Sequence, residues 1–263
     1  MMQAAPPVSR PVPAISIRGL TRRFGKTIAV DALDLDVPVG SMFGLVGPNG
    51  AGKTTTLSMV TGVLRPDAGT VSLFGTDVWT DPPATKARTG VLPDGPAMFD
   101  RLSGAELIEY AGRLRGLARA DARSRAGDLL RVLGLLDAAD NLVVDYSAGM
   151  KKKIGLACAL VHSPKLLVLD EPFESVDPVS SETIRSLLRD YVAAGGTVVL
   201  SSHVMEVVEA LCTDLAVVVA SRVLAEGSVS AVRGAGTLQQ RFLALVGGVP
   251  EEAALTWLGS SSG

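Results

Sequence analysis

The chain has 263 residues, 47% of them hydrophobic, and a formal net charge of -2. That is ample apolar material for a full core in one large domain or two small ones, and the charge gives no global attraction to nucleic acid. The two cysteines, Cys158 and Cys212, lie in apolar helical patterns without metal or C-x-x-C spacing, which excludes a disulfide scaffold and fits a reduced cytosolic compartment.

No run reaches the roughly 18 apolar residues that a membrane span requires, and the N-terminus lacks the apolar core of a signal peptide. The chain is therefore expected to be soluble by itself. Its mean hydropathy of +0.33 is high, and hints at an apolar partner.

Residues 1–13, with Pro6, Pro7, Pro11 and Pro13 among small residues, are expected to form a disordered leader. Ile15–Arg18 and Ala32–Val37 read as strands. The second alternates Leu33, Leu35 and Val37 with Asp34 and Asp36, the pattern of a half-exposed antiparallel strand. Phe24 falls in a polar turn between them, where it either staples the turn or stacks on a nucleotide base.

The strand-like Met42–Val46 then runs into Gly47-Pro48-Asn49-Gly50-Ala51-Gly52-Lys53-Thr54-Thr55, which fits G-x-x-x-x-G-K-[ST] between a strand and a helix. Gly47, Gly50 and Gly52 let the backbone turn its N–H groups inward around a phosphate. Lys53 adds a full charge, and the helix opening near Gly52 aims its positive end at the same anion. Leu57, Val60 and Leu64 are expected to hold that helix in the core. The hydroxyl of Thr54 is placed to ligate Mg²⁺. Nucleotide binding follows from this stretch alone.

Pro66–Gly69 is a turn, Thr70–Phe74 a short strand, and Gly90–Leu92 a strand leading into the Pro93-Asp94-Gly95 loop. From Ser103 to about Leu136 the spacing is helical. Its arginines alternate with Glu106, Glu109, Asp121 and Asp128, as on a solvated face, and no aromatic platform for nucleic acid accompanies them. Ser147 precedes a helix and is a natural N-cap, which alone accounts for a serine there.

Leu166–Leu169 is a continuous apolar run ending in Asp170 and Glu171, as in a buried parallel strand that delivers carboxylates to its C-terminal edge. Asp170 is the candidate for holding Mg²⁺. Glu171, leaving the strand on the opposite face, is placed to orient or deprotonate the attacking water. Asp177-Pro178 opens another helix, closed by Gly195-Gly196. Thr197–Leu200 is a strand that brings His203 to the same sheet edge, within reach of a γ-phosphate. His162 is read as structural. Leu215–Leu224 reads as a hairpin whose turn, Ala220-Ser221, lacks the usual Gly or Asn.

Taken together and in this order, the P-loop GPNGAGKTT, Tyr146-Ser147-Ala148-Gly149-Met150 before a helix, Leu166–Glu171, Ser175-Val176-Asp177 and His203 resemble the ATP-binding subunits of ABC transporters. The resemblance covers about residues 14–246. It implies a P-loop α/β core with a mostly parallel sheet, an N-terminal antiparallel β subdomain and a helical signature subdomain. The corresponding divisions are 1–13 leader, 14–232 ATPase domain with helical residues about 95–160, and 233–263 a C-terminal helical tail.

In that family two subunits pack head to tail around two ATP molecules. Carried over by position, Lys53, Thr54 and Asp170 hold phosphates and Mg²⁺ beside the loop residues Gly47, Pro48, Asn49, Gly50, Ala51, Gly52 and Thr55. Glu171 polarises water, His203 touches the γ-phosphate and Phe24 stacks on adenine. Ser147 and Gly149 reach the partner's ATP, and Asp177 signals across the interface. Asp94 stands where the family usually has Gln, and is taken as approaching Mg²⁺ through water. Ala148 and Met150 replace a Gly and a Gln of the signature.

The resemblance further implies a homodimer or heterodimer at the inner face of the cell membrane, driving export through a separate permease. No nucleic acid is expected. A soluble ABC ATPase acting on nucleic acid or the ribosome is the alternative, disfavoured by the single P-loop and the lack of a sustained heptad run.

Overall fold

The structure is a computed structural model, and residues 11–95 and 98–246 are described. Most of the 1–13 leader and the end of the 233–263 tail lie outside that range. Strand β1 (Ile15–Phe24) pairs antiparallel with β2 (Thr27–Val37). Next come β3 (Met42–Val46), α1 (Lys53–Val60), β4 (Ala68–Leu73), β5 (Thr76–Asp77), α2 (Pro82–Ala87), β6 (Thr89–Leu92), α3 (Gly104–Leu114), α4 (Arg119–Val132) and α5 (Ala148–Leu160). The chain continues through β7 (Leu166–Leu169), α6 (Pro178–Ala193), β8 (Thr197–Ser202), α7 (Met205–Leu211), β9 (Asp214–Val219), β10 (Arg222–Ser228), α8 (Val229–Arg233) and α9 (Leu238–Leu245).

Two sheets result. One is antiparallel, in the order β2-β1-β4-β5; the other runs β10-β9-β3-β8-β7-β6, parallel except for the β9–β10 hairpin. This is the expected P-loop α/β architecture with its antiparallel β unit and a helical unit of α3, α4 and α5.

The pleat of the parallel sheet divides the core. Leu166 and Val168 of β7 face the cluster shared with Ile15, Leu35, Phe43, Leu57 and Val71, whereas Leu167 and Leu169 face Ile108, Ile154, Leu188 and Val208. With both faces covered, β7 and β8 are buried along their whole length, which is why β7 reads as an unbroken apolar run. In β2, by contrast, Leu33, Leu35 and Val37 are buried while Asp34 and Asp36 are exposed, the alternation of a one-sided sheet.

Several boundaries differ from the sequence reading. The first hairpin is longer, so Phe24 ends β1 instead of lying in a turn midway between the strands. Helix α1 stops at Val60, where Thr61 Oγ1 donates to Leu57 O at 3.0 Å, and Leu64 falls beyond it. The helical run from Ser103 is two helices, broken where Gly116 adopts φ 87°. The β9–β10 turn places Ala220 and Ser221 at φ 47° and 69°, the two positive values that a type I′ hairpin turn takes, here without the Gly or Asn that usually supplies them. Among the described residues no helix is long and apolar enough to cross a membrane.

Candidate active site

The P-loop leaves β3 at the centre of the parallel sheet. A Cβ at Gly47 would lie 2.1 Å from Val218 O, and one at Gly52, where φ is 100°, would lie 2.2 Å from Ala29 O. Those two positions therefore require glycine. Lys53, at 5% exposure, donates to Gly47 O at 2.8 Å and Pro48 O at 3.3 Å. Its ammonium also lies 3.4 Å from Glu171 Oε1.

A cavity of about 440 Å³ opens above the loop, lined by Asn49 to Thr55 together with Phe24, Ile28, Asp94, Glu171 and Glu174. Phe24 is exposed at its rim, with the Arg22 guanidinium 4.9 Å from the ring centroid. Thr54 is exposed on the same wall.

Beyond the end of β7, Asp170 is still held in register by its N–H to Leu92 O at 2.8 Å, and it is buried. Ser201, fully buried on the neighbouring β8, donates its hydroxyl to Asp170 Oδ1 at 2.5 Å and accepts from the Glu171 N–H at 2.9 Å. Glu171 lies outside the strand, at φ 45°. Both acids fall beyond the strand, so strand alternation, the reason given from sequence, does not set their directions, and the two carboxylates have different partners. Glu171 Oε2 meets His203 Nδ1 at 3.1 Å, so the ring Nδ1 carries a proton and donates it in this bond. The carboxylate is thus gripped between Lys53 and His203 at the mouth of the cavity.

The carbonyl of Glu171 accepts from the Lys152 ammonium at 2.8 Å and from the Glu174 N–H at 3.2 Å. Lys152 also pairs with Asp94 Oδ1 at 3.3 Å. Neither Ser201 nor Lys152 was picked out from the sequence.

A second cluster forms away from the P-loop cavity. Ser147 caps α5 by accepting from Met150 N at 3.2 Å and is exposed. Tyr146 below it is anchored by its hydroxyl to Ala138 O at 2.6 Å. Asp177 caps α6 through Ser180 N at 2.9 Å; its hydrogen bonds to the Ser180 hydroxyl and N–H hold the carboxyl below the usual range. A Cβ on Gly149 would lie 3.3 Å from Asp177 Oδ2, so the two segments touch. Within one chain, Ser147, Gly149 and Asp177 are together but do not line the P-loop cavity. His162 lies elsewhere, its Nε2 donating to Thr89 O at 3.3 Å, and burial with nearby Arg115 pushes its pKa down to about 4.

Residues 30–174, which carry the P-loop, the capped α5 and the paired acids, match the model of the ABC transporter family. The chain belongs to the ABC transporter family. It is an ABC ATPase, an ATP-binding subunit whose hydrolysis is coupled to transport. The ABC ATPase is 39% identical over 237 residues to the daunorubicin/doxorubicin resistance ATP-binding protein DrrA of Streptomyces peucetius, covering 89% of this chain and 72% of that one. It is also 39% identical to the Nod factor export ATP-binding protein I of Cupriavidus metallidurans, over 81% of this chain and 70% of that one. A solved ATP-binding subunit of an ABC transporter superposes with a TM-score of 0.82 at 26% identity, covering 89% of this chain and 99% of that chain. With these relatives the nucleic-acid alternative is set aside.

Proposed function

We propose that this ATPase subunit hydrolyses ATP at the Lys53–Glu171–His203 site and drives export of a drug, antibiotic or lipid through a separate membrane permease. The observation that carries the reading is the Glu171 carboxylate, held by Lys53 on one side and His203 on the other at the mouth of the P-loop cavity. The relatives' names support export and a drug or antibiotic: Nod factor export for one, and drug resistance for others, among them the linearmycin resistance ATP-binding protein LnrL of Bacillus subtilis, 32% identical over 214 residues. The unit responsible is residues 14–232, with 233–263 as its C-terminal tail.

Asn49 to Thr55 cradle the phosphates with backbone N–H groups and the Lys53 ammonium, while Phe24 stacks on adenine. A γ-phosphate beside Lys53 competes with Glu171 for that cation. Released on that side, Glu171 takes the proton of a water as its oxygen attacks the γ-phosphorus, and ADP leaves. His203 orients Glu171 through Nδ1 and turns toward the γ-phosphate.

Mg²⁺ fits the donors present. Thr54 offers a hydroxyl and Asp170 a carboxylate, hard oxygens of the kind this ion takes one or two of beside phosphates and water, and no cluster of three or more His, Cys, Asp or Glu suited to another metal occurs among the described residues. Bound there it would neutralise phosphate charge. Asp94, paired through Oδ1 with Lys152, has its second oxygen left to approach it through water.

The separation of Ser147, Gly149 and Asp177 from the P-loop cavity supports a head-to-tail dimer, in which a second copy supplies its Ser147 helix end to this copy's ATP. A homodimer or heterodimer seated on the permease at the inner membrane face follows. Lys53→Ala should lower turnover at least 100-fold, since it removes phosphate stabilisation on the order of 3 kcal/mol. Turnover unchanged in a purified-protein phosphate-release assay would overturn the assignment.

A further inference from the structure

We infer that Lys152 is a positioning residue for Glu171: from the helix that Ser147 caps, its ammonium fixes the backbone on which that carboxylate stands, with Asp94 as its counter-ion. This rests on Glu171 being the residue that activates water.

Glu171 is a non-glycine residue at φ 45°, a conformation that persists only where the surroundings impose it. Its peptide groups are held at both ends by side chains from other elements. Ser201 of β8 takes the N–H at 2.9 Å, and Lys152 of α5 gives to the carbonyl at 2.8 Å, the shorter of that oxygen's two bonds. Both are buried, Lys152 at 8% exposure.

A lysine is rarely sequestered unless paired and hydrogen-bonded, and here the pairing is specific. Asp94, on the loop after β6, supplies the opposite charge at 3.3 Å. Its neighbour Lys151 does something else, donating to Val144 O at 3.2 Å. One side chain therefore joins α5, the Asp94 loop and the Glu171 turn.

The placement along α5 gives this contact a consequence. Lys152 lies five residues after Ser147 on one continuous helix, roughly 7.5 Å along its axis. In the proposed dimer Ser147 reaches the partner's ATP, so a shift of α5 on that side is passed by Lys152 to the carboxylate serving this subunit's own ATP. The two sites are coupled through a rigid element with a contact at each end.

The test uses the full chain and measures kcat, KM and ATP affinity separately. Lys152→Met removes the donor and should lower kcat about 10- to 100-fold, with ATP affinity within two-fold of the parent. Lys152→Gln keeps an N–H donor without the charge and should recover kcat to within about five-fold of the parent. If Lys152→Met does not fold, Lys152→Ala takes its place with the same expected loss.

Either of two results would overturn the inference: kcat unchanged in Lys152→Met, or Lys152→Gln as slow as a hundredth of the parent. Glu171→Gln, run alongside, separates the two readings. If it retains turnover, the reading of Glu171 fails; if it is inactive while the Lys152 variants match the parent, only the positioning role fails.

Discussion

Replacing Ser201 with Ala tests the site at its most buried point. The hydroxyl makes two bonds, donating to Asp170 at 2.5 Å and accepting from the Glu171 N–H at 2.9 Å, and Ser201 is fully enclosed on β8. Alanine fills all but the hydroxyl, so the packing loss is small. What remains is a buried carboxylate short of a donor, about 1.5–3 kcal/mol, and a buried N–H without an acceptor, about 1–3 kcal/mol. The two share one atom and do not add fully, so roughly 3 kcal/mol of stability should be lost. Glu171 also loses one restraint on its left-handed backbone, and kcat should fall at least ten-fold, equivalent to about 1.4 kcal/mol of transition-state positioning. Denaturant unfolding and steady-state phosphate release read the two effects separately. Ser201→Cys, a weaker donor of similar size, should fall between. A Ser201→Ala protein within about 0.5 kcal/mol and two-fold of the parent would refute the reasoning, because that is the range of a neutral surface change.

His162 predicts a pH dependence of stability. Its folded pKa, about 4, lies below the ordinary histidine value of 6.5, so between these values the unfolded chain binds a proton that the native chain does not. Stability should therefore fall as pH drops from about 6.5 toward 4, by roughly 2 kcal/mol after discounting for partial solvent access. His162→Gln should flatten that window in denaturant titrations; an unchanged slope would assign it to other groups. At Gly90 a Cβ would meet Ala159 O at 2.1 Å and Leu167 Cδ2 at 2.8 Å, forcing α5 off β6. Gly90→Ala should cost roughly 2 kcal/mol or more by overpacking, seen as a lower Tm, and a protein as stable as the parent would show that the contact relaxes freely.

Much of this site was legible because its parts are local. The P-loop, the capping by Ser147 and Asp177, and the acids closing β7 each follow from short-range geometry that a few residues dictate. What escaped depends on neighbours brought together by the sheet. Ser201 looks like any strand-end serine until β8 is seen to pair with β7, which sets its hydroxyl beside Asp170. Lys152 carried a faint signal: it lies one turn before the buried Leu156, on the apolar side of α5, where an unpaired ammonium has no place. Its partner Asp94 is far away in sequence, and only the packing of α5 on β6 joins them. The run of α3 and α4 misled in the opposite sense. Helical spacing on both sides concealed the turn at Gly116, since periodicity registers faces and not breaks.

On the proposed reading, ATP is held between two copies, by the P-loop of one and the Ser147 helix of the other. Light scattering of purified Glu171→Gln protein with and without Mg²⁺ and ATP tests it most directly, because blocked hydrolysis should trap the closed pair. A nucleotide-dependent doubling of mass is expected, and it should disappear when Ser147 is replaced by Arg. ATP bound tightly by a protein that stays monomeric, or dimers indifferent to Ser147→Arg, would contradict it.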